Sequence, residues 1–135
     1  MRVVLDTNVL IAAFIARGVC AELVEHCVLH HAIVLSEAIL VELREKLIGK
    51  FKIGDAEADE AVTLLRTRME VVAPQALAQP VCRDADDDVV LATAITGQAD
   101  CIVTGDKDLL VLQRYLNVSI VSPSQFADFE ASHGA

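Results

Sequence analysis

The sequence predicts an α/β fold, a mainly parallel sheet covered by helices, from two observations. Short strand-like runs alternate with helical spacing along the whole chain. Those runs, VVL, IVL and CIV among them, are apolar throughout instead of at every second residue, as expected of strands buried on both faces. VVLDTN and CIVTGD also share a pattern, an apolar strand core followed closely by aspartate. In an open parallel sheet such acids emerge at the carboxyl edge, where ligands gather.

Taken in order, residues 2–5 read as a buried strand ending at Asp6, and 9–15 has helical apolar spacing, as does 20–30. Residues 33–35 form a short strand, Ser36 is a plausible cap, and 37–47 a helix closed by Gly49. Asp55 starts a helix to Arg68, followed by the β-like MEVV. The segment APQALAQP, bounded by Pro74 and Pro80, is the one clear connecting loop. A helix over 89–98, the strand CIVT, a helix DLLVLQRYL and the strand VSIV come next. Ser122 and Pro123 suit the cap and first turn of a last helix over 123–130. One domain over residues 1–130 with a frayed tail over 131–135 is expected.

The hydrophobic fraction is 54%, yet Asp6 and Asp100 interrupt the longest apolar runs before they reach a membrane span of ~20 residues. MRVVLDTN lacks the features of a secretory signal, which predicts a cytoplasmic protein. Cys20, Cys27, Cys82 and Cys101 lack any C-x-x-C pairing and read as reduced, buried thiols. His26 and His30 lie four apart, but Cys27 stands where H-E-x-x-H needs glutamate, so they read as a polar stripe at a helix end. A net charge of −9 argues against broad duplex binding through Lys and Arg. A local basic stretch, Arg44, Lys46, Lys50 and Lys52, remains a candidate for contact with a nucleic-acid backbone, the alternative being a solvated helix end.

CRDADDDVVLATAI places Asp84, Asp86, Asp87 and Asp88 within five positions, more acids than a helix cap and dipole require. From Asp87, positions three, four and seven ahead are Val90, Leu91 and Ala94, which sets it at the top of the sheet-facing side. Asp88 shares a face with Leu91, Ala92 and Ile95 and is the contender, while Asp84 and Asp86 read as capping acids. Glu42 lies near the apolar face of its helix, three after Ile39 and beside Leu43. Carboxylates converging on one cleft repel, and hard divalent cations relieve the repulsion. Oxygen-only ligation selects Mg²⁺ or Mn²⁺, and phosphoryl-group hydrolysis is the chemistry that uses such ions.

Four stretches in order, VVLDTNVLIAAF, LSEAILVELREKL, CRDADDDVVLATAI and CIVTGDKDLL, resemble the PIN domain family, and within it the bacterial VapC-like toxins of toxin–antitoxin pairs. The resemblance runs from Arg2 to about Phe126. It implies a three-layer α/β/α fold and a Mg²⁺- or Mn²⁺-dependent endoribonuclease, with an antitoxin partner and a homodimer. It implies an acidic site of Asp6, Glu42, Asp87 and Asp106 at the carboxyl ends of the strands. Asn8 and Thr104 match polar residues that orient a carboxylate or water. Asp108 matches a further acid, although it reads equally as the cap of the helix after it, and Lys107 reads as exposed. Rival readings are a receiver- or phosphatase-like domain, which needs paired acids or D-x-D-x-T where this chain has DTN, and a catalytically inactive PIN-like module that binds RNA or protein.

Overall fold

The computed structural model describes residues 1–16 and 18–133. In chain order its elements are β1 (Arg2–Leu5), α1 (Thr7–Ile15), α2 (Val19–His30), β2 (Ala32–Ser36), α3 (Glu37–Gly49), α4 (Asp55–Arg68) and β3 (Glu70–Val72). Then follow α5 (Ala85–Thr96), β4 (Cys101–Val103), α6 (Lys107–Leu110), β5 (Arg114–Tyr115), β6 (Val118–Val121), a 3-10 turn (Pro123–Gln125) and α7 (Phe126–His133). The strands form one sheet in the order β3-β2-β1-β4-β6-β5, parallel except for the antiparallel β5–β6 pair.

Continuously apolar strands become continuously buried ones: Val3, Val4, Leu5, Val34, Leu35, Ile102 and Val103 have no solvent exposure. Helix α1 packs on both α2 and α3, α3 packs on α4, and α5 lies across β1 and β2. Strand order reverses direction between β1 and β4, so these neighbours diverge into different crossovers and leave a crevice beyond their carboxyl ends. Their register aligns Leu5 with Val103, which brings Asp6 level with Thr104. Among the described residues, no single helix is long and apolar enough to cross a membrane.

Several expectations are corrected. Helix α5 begins at Ala85, not at residue 89, so Asp86, Asp87 and Asp88 lie inside its first turn. The Asp84 side chain accepts a hydrogen bond from the Asp86 N–H at 2.9 Å and starts the helix early, in a turn whose free N–H groups favour acids. The single helix expected from DLLVLQRYL is instead α6 followed by β5. Leu109, Leu112 and Tyr115 recur every three residues and imitate a helical face, but the Ile120 N–H bonds Gln113 O at 2.9 Å, and β5 covers an otherwise unpaired edge of β6. Gln113 and Leu116 take left-handed backbone angles, φ 58° and 52°, to turn the chain there. Ser36 precedes α3 without a side-chain capping bond, and its hydroxyl accepts from Thr93 Oγ1 at 3.0 Å instead. The tail expected to fray from residue 131 is helical to His133, and residues 134–135 lie outside the described residues. Stacking of His133 on Phe129, with ring centroids 5.4 Å apart, holds the last turn.

Gly97 ends α5 against the sheet, where a Cβ would lie 2.4 Å from Cγ1 of the fully buried Val34. Gly97→Ala is expected to destabilise the fold by about 1–3 kcal/mol through overpacking, measured by chemical denaturation.

Candidate active site

The turns after β1 and β4 are stitched together by side chains. Asp6 is 5% exposed. Its Oδ1 accepts from the Thr7 N–H at 2.8 Å, and its Oδ2 accepts from the Thr104 hydroxyl at 2.7 Å and Asn8 Nδ2 at 3.1 Å. Asn8 Oδ1 in turn accepts from the Gly105 N–H at 3.0 Å, and Thr104 Oγ1 from the Asp106 N–H at 2.9 Å. Asp6 and Asp106 thereby cap α1 and α6 while standing at the crevice. Asp108 is not the cap of α6, as the sequence suggested. Its N–H donates to Asp106 Oδ1 at 2.9 Å, and its carboxylate pairs with the exposed Arg83 at 2.7 Å.

The first turn of α5 brings the third acid. Asp87 is 7% exposed and meets the Asp106 carboxyl, and Asp87, Asp106 and Asp108 have carboxylate oxygens within 4.8 Å of one another. Asp88 turns away to anchor the preceding loop, accepting from the N–H groups of Val81 at 3.1 Å and Cys82 at 2.8 Å. Burial works to raise its carboxyl, but these two donors hold it below its ordinary value. Glu42 of α3 faces the same pocket from the other side, half-buried, with Lys46 Nζ 2.8 Å from its Oε1. Asp6, Asn8, Glu42, Lys46, Asp87 and Asp106 thus line one pocket of about 280 Å³.

The four basic residues expected to act together are separated. Lys46 alone reaches the pocket; Arg44 pairs with Asp59 at 2.6 Å, Lys50 lies 5.5 Å from the Phe51 ring centroid, and Lys52 bonds Gly49 O at 2.9 Å. Sequence reasoning missed Glu45 in the pocket lining and the pairing of Arg83 with Asp108, while Asp84 and Asp86, read as capping acids, also line the pocket. The four-residue spacing from Glu42 to Lys46 was a readable sign of their ion pair.

Negative charge in this pocket exceeds what the protein neutralises. Burial pushes the Asp6 carboxyl up, against hydrogen bonds from Thr104 and Thr7 that favour its charged form, and Glu42 and Asp106 push it further. Asp87 is raised to about 7, first by burial, then by sharing a hydrogen bond with Asp106 and by the charges of Asp106, Asp6 and Asp84. Lys46 is the one cation lining the pocket among the described residues, and Glu42 holds it firmly protonated. Oxygen donors only, close together and ionised at a cost, fit a hard divalent cation. Asp87, Asp106 and Asp108 offer carboxylate oxygens close enough to share one ion, and Asp6 and Glu42 line the same pocket.

Because the Asp87 pKa is raised on folding, its contribution to stability is greatest below the unfolded value near 4 and is lost as pH rises towards about 7. In EDTA, Asp87→Asn is therefore expected to melt at a higher temperature than the wild type at pH 8, with the advantage shrinking or reversing at pH 5.

Comparison with known proteins agrees with this fold. The model of the PIN domain family matches residues 2–108. No curated protein matches the sequence. Among solved structures, the fold is similar to VapBC2 from Rickettsia felis bound to a DNA fragment from its promoter. The TM-score is 0.64 at 16% identity, covering 90% of this chain and 98% of that one. It is also similar to VapBC-1 from nontypeable Haemophilus influenzae, with a TM-score of 0.64 at 20% identity over 92% of this chain and 99% of that one. A family match over most of the sequence, together with a mostly parallel sheet carrying acids at its switch point, means that the chain belongs to the PIN domain family.

Proposed function

We propose that the protein is a metal-dependent endoribonuclease that hydrolyses RNA phosphodiester bonds in the cytoplasm, and the toxin of a type II toxin–antitoxin pair. The observation that carries the nuclease reading is the convergence of Asp6, Glu42, Asp87 and Asp106 from four separate segments on one pocket, with Lys46 as its lining cation. Mg²⁺ or Mn²⁺, when bound, supplies charge neutralisation on phosphate and acidifies an attacking water. The chain's own residues provide the rest. Thr7, Asn8 and Thr104 fix both oxygens of Asp6 before any ligand arrives, so little reorganisation remains at that carboxylate. Lys46, tied to Glu42 by a single ion pair and half-exposed, is free to turn to a substrate phosphate when the acids are otherwise neutralised. RNA as the substrate rests on the likeness of the four sequence motifs to VapC-like toxins.

The antitoxin reading is supported by the solved VapBC structures that share the fold and by an apolar groove among α1, α2 and α4. Phe14 and Leu64 line it while 42% and 50% exposed, more apolar surface than a free helical layer needs to show. A homodimer would use a second surface, and Val41, 51% exposed on α3 beside Glu42, is available to it.

Cleavage of RNA by the purified protein with Mg²⁺, with Mn²⁺ and with EDTA tests the reading. Asp87→Asn is expected to lower the rate at least about a hundredfold, the loss that follows when several kcal/mol of charge stabilisation go. Asp88→Asn should retain most of the activity, since its carboxylate serves the 81–82 backbone. Cleavage that persists in EDTA would overturn the metal dependence, and a folded wild type inert with both ions would overturn the nuclease reading and leave an inactive binding module. Lys46→Gln removes a competing cation from Glu42 and is expected to tighten Mn²⁺ binding by about twofold, the size of an i,i+4 helix ion pair, as read by calorimetry.

A further inference from the structure

A second cluster of ligating side chains sits at the opposite edge of the sheet from the acids. His31 immediately precedes β2, so it stands beyond the amino ends of the parallel strands, whereas Asp6 stands beyond their carboxyl ends. Four strand residues at about 3.3 Å each put more than ~13 Å between the two places. Here His26 Nε2 lies 2.7 Å from Glu130 Oε2, and His31 Nε2 closes on the same oxygen. The three donor atoms fall within 4.8 Å of one another.

The convergence follows from local backbone. His26 and His31 are five apart, a spacing that on a continuous helix would point them to different sides. His31, however, is the C-cap of α2 with an extended backbone, φ −135° and ψ 167°, and its ring meets that of His26 edge-on at 5.7 Å. The His31 side chain is only 10% exposed and packs edge-on against buried Phe126 with ring centroids 6.0 Å apart, so its position is fixed. Glu130 arrives from α7, more than a hundred residues later in the chain than His26.

We propose that His26, His31 and Glu130 form a site for a borderline divalent cation of the Zn²⁺ class, which clasps α7 to the end of α2. Two imidazoles and one carboxylate are a donor set that zinc accepts with water in its fourth position. Metal–ligand distances near 2.1 Å require donors about 3.3 Å apart. The Glu130 side chain is 30% exposed, and binding would draw it back from the two imidazoles to that separation. Two nitrogen donors separate this site chemically from the oxygen-only pocket, which favours Mg²⁺ or Mn²⁺. A clasp here has structural value because Phe126 is the one buried residue of α7, with Phe129 only partly buried against the core. The ion would hold down a helix with little apolar anchorage of its own.

The test is calorimetric titration of the full chain with ZnCl₂ in excess Mg²⁺, with melting curves and the visible spectrum of the Co²⁺-substituted protein alongside. The wild type is expected to bind one Zn²⁺ at micromolar concentration or below, to melt at a higher temperature once loaded, and to give the intense visible bands of four-coordinate Co²⁺. His26→Gln and Glu130→Gln, both at partly exposed side chains, should each weaken binding at least about tenfold, since losing even an outer-shell partner costs that much. Both should abolish the rise in melting temperature, while Asp87→Asn should bind Zn²⁺ as the wild type does. A wild type that takes up no Zn²⁺ in that range, or variants that bind it equally well, would overturn the proposal.

Discussion

The Thr104 hydroxyl bonded to Asp6 is the constraint on which the rest of the site depends. It joins the ends of two adjacent parallel strands whose chains then part into different crossovers, and it does so through a carboxylate that is itself a helix cap. Asn8 and Gly105 add a second tie across the same gap. With these bonds made, Asp6 and Asp106 have fixed positions relative to the sheet, and α5 can deliver Asp87 only into the space between them. Without them, two turns bearing like charges would move apart.

Neighbouring aspartates of α5 illustrate how one helical turn distributes opposite tasks. Asp84 starts the helix, Asp88 ties down the loop, and Asp87 alone is pressed against other acids. Asp88 is held ionised by backbone donors, whereas Asp87 meets a carboxyl where a donor would be welcome. The difference is a rotation of about 100° around the helix axis. Identical chemistry in sequence becomes anchorage in one case and an unmet demand for positive charge in the other.

Much of this was legible in the sequence because it depends on short-range rules. Strand β1 and helix α4 fall where their apolar runs and start signals put them, and the helix-face count from Asp87 to Val90, Leu91 and Ala94 singled out the buried aspartate of the cluster. What was not legible depends on partners distant in the chain. The spacing of Leu109, Leu112 and Tyr115 cannot reveal that β6 needs an edge partner, and the basic stretch cannot reveal that Asp59 takes Arg44. His26 was readable only as part of a polar stripe, since Glu130, which gives it a partner, lies on another element.

The strained ionisation of Asp87 also bears on how such a chain would change over generations. Asp6 caps α1 and accepts from Thr104 across the gap, so it serves the fold and lines the pocket together. Asp87 serves the fold poorly, because burial among other acids makes its charge a burden that asparagine would not carry. Mutation followed by selection for folding alone would therefore tend to remove it. On the proposed function, its presence is chemistry kept at the expense of stability.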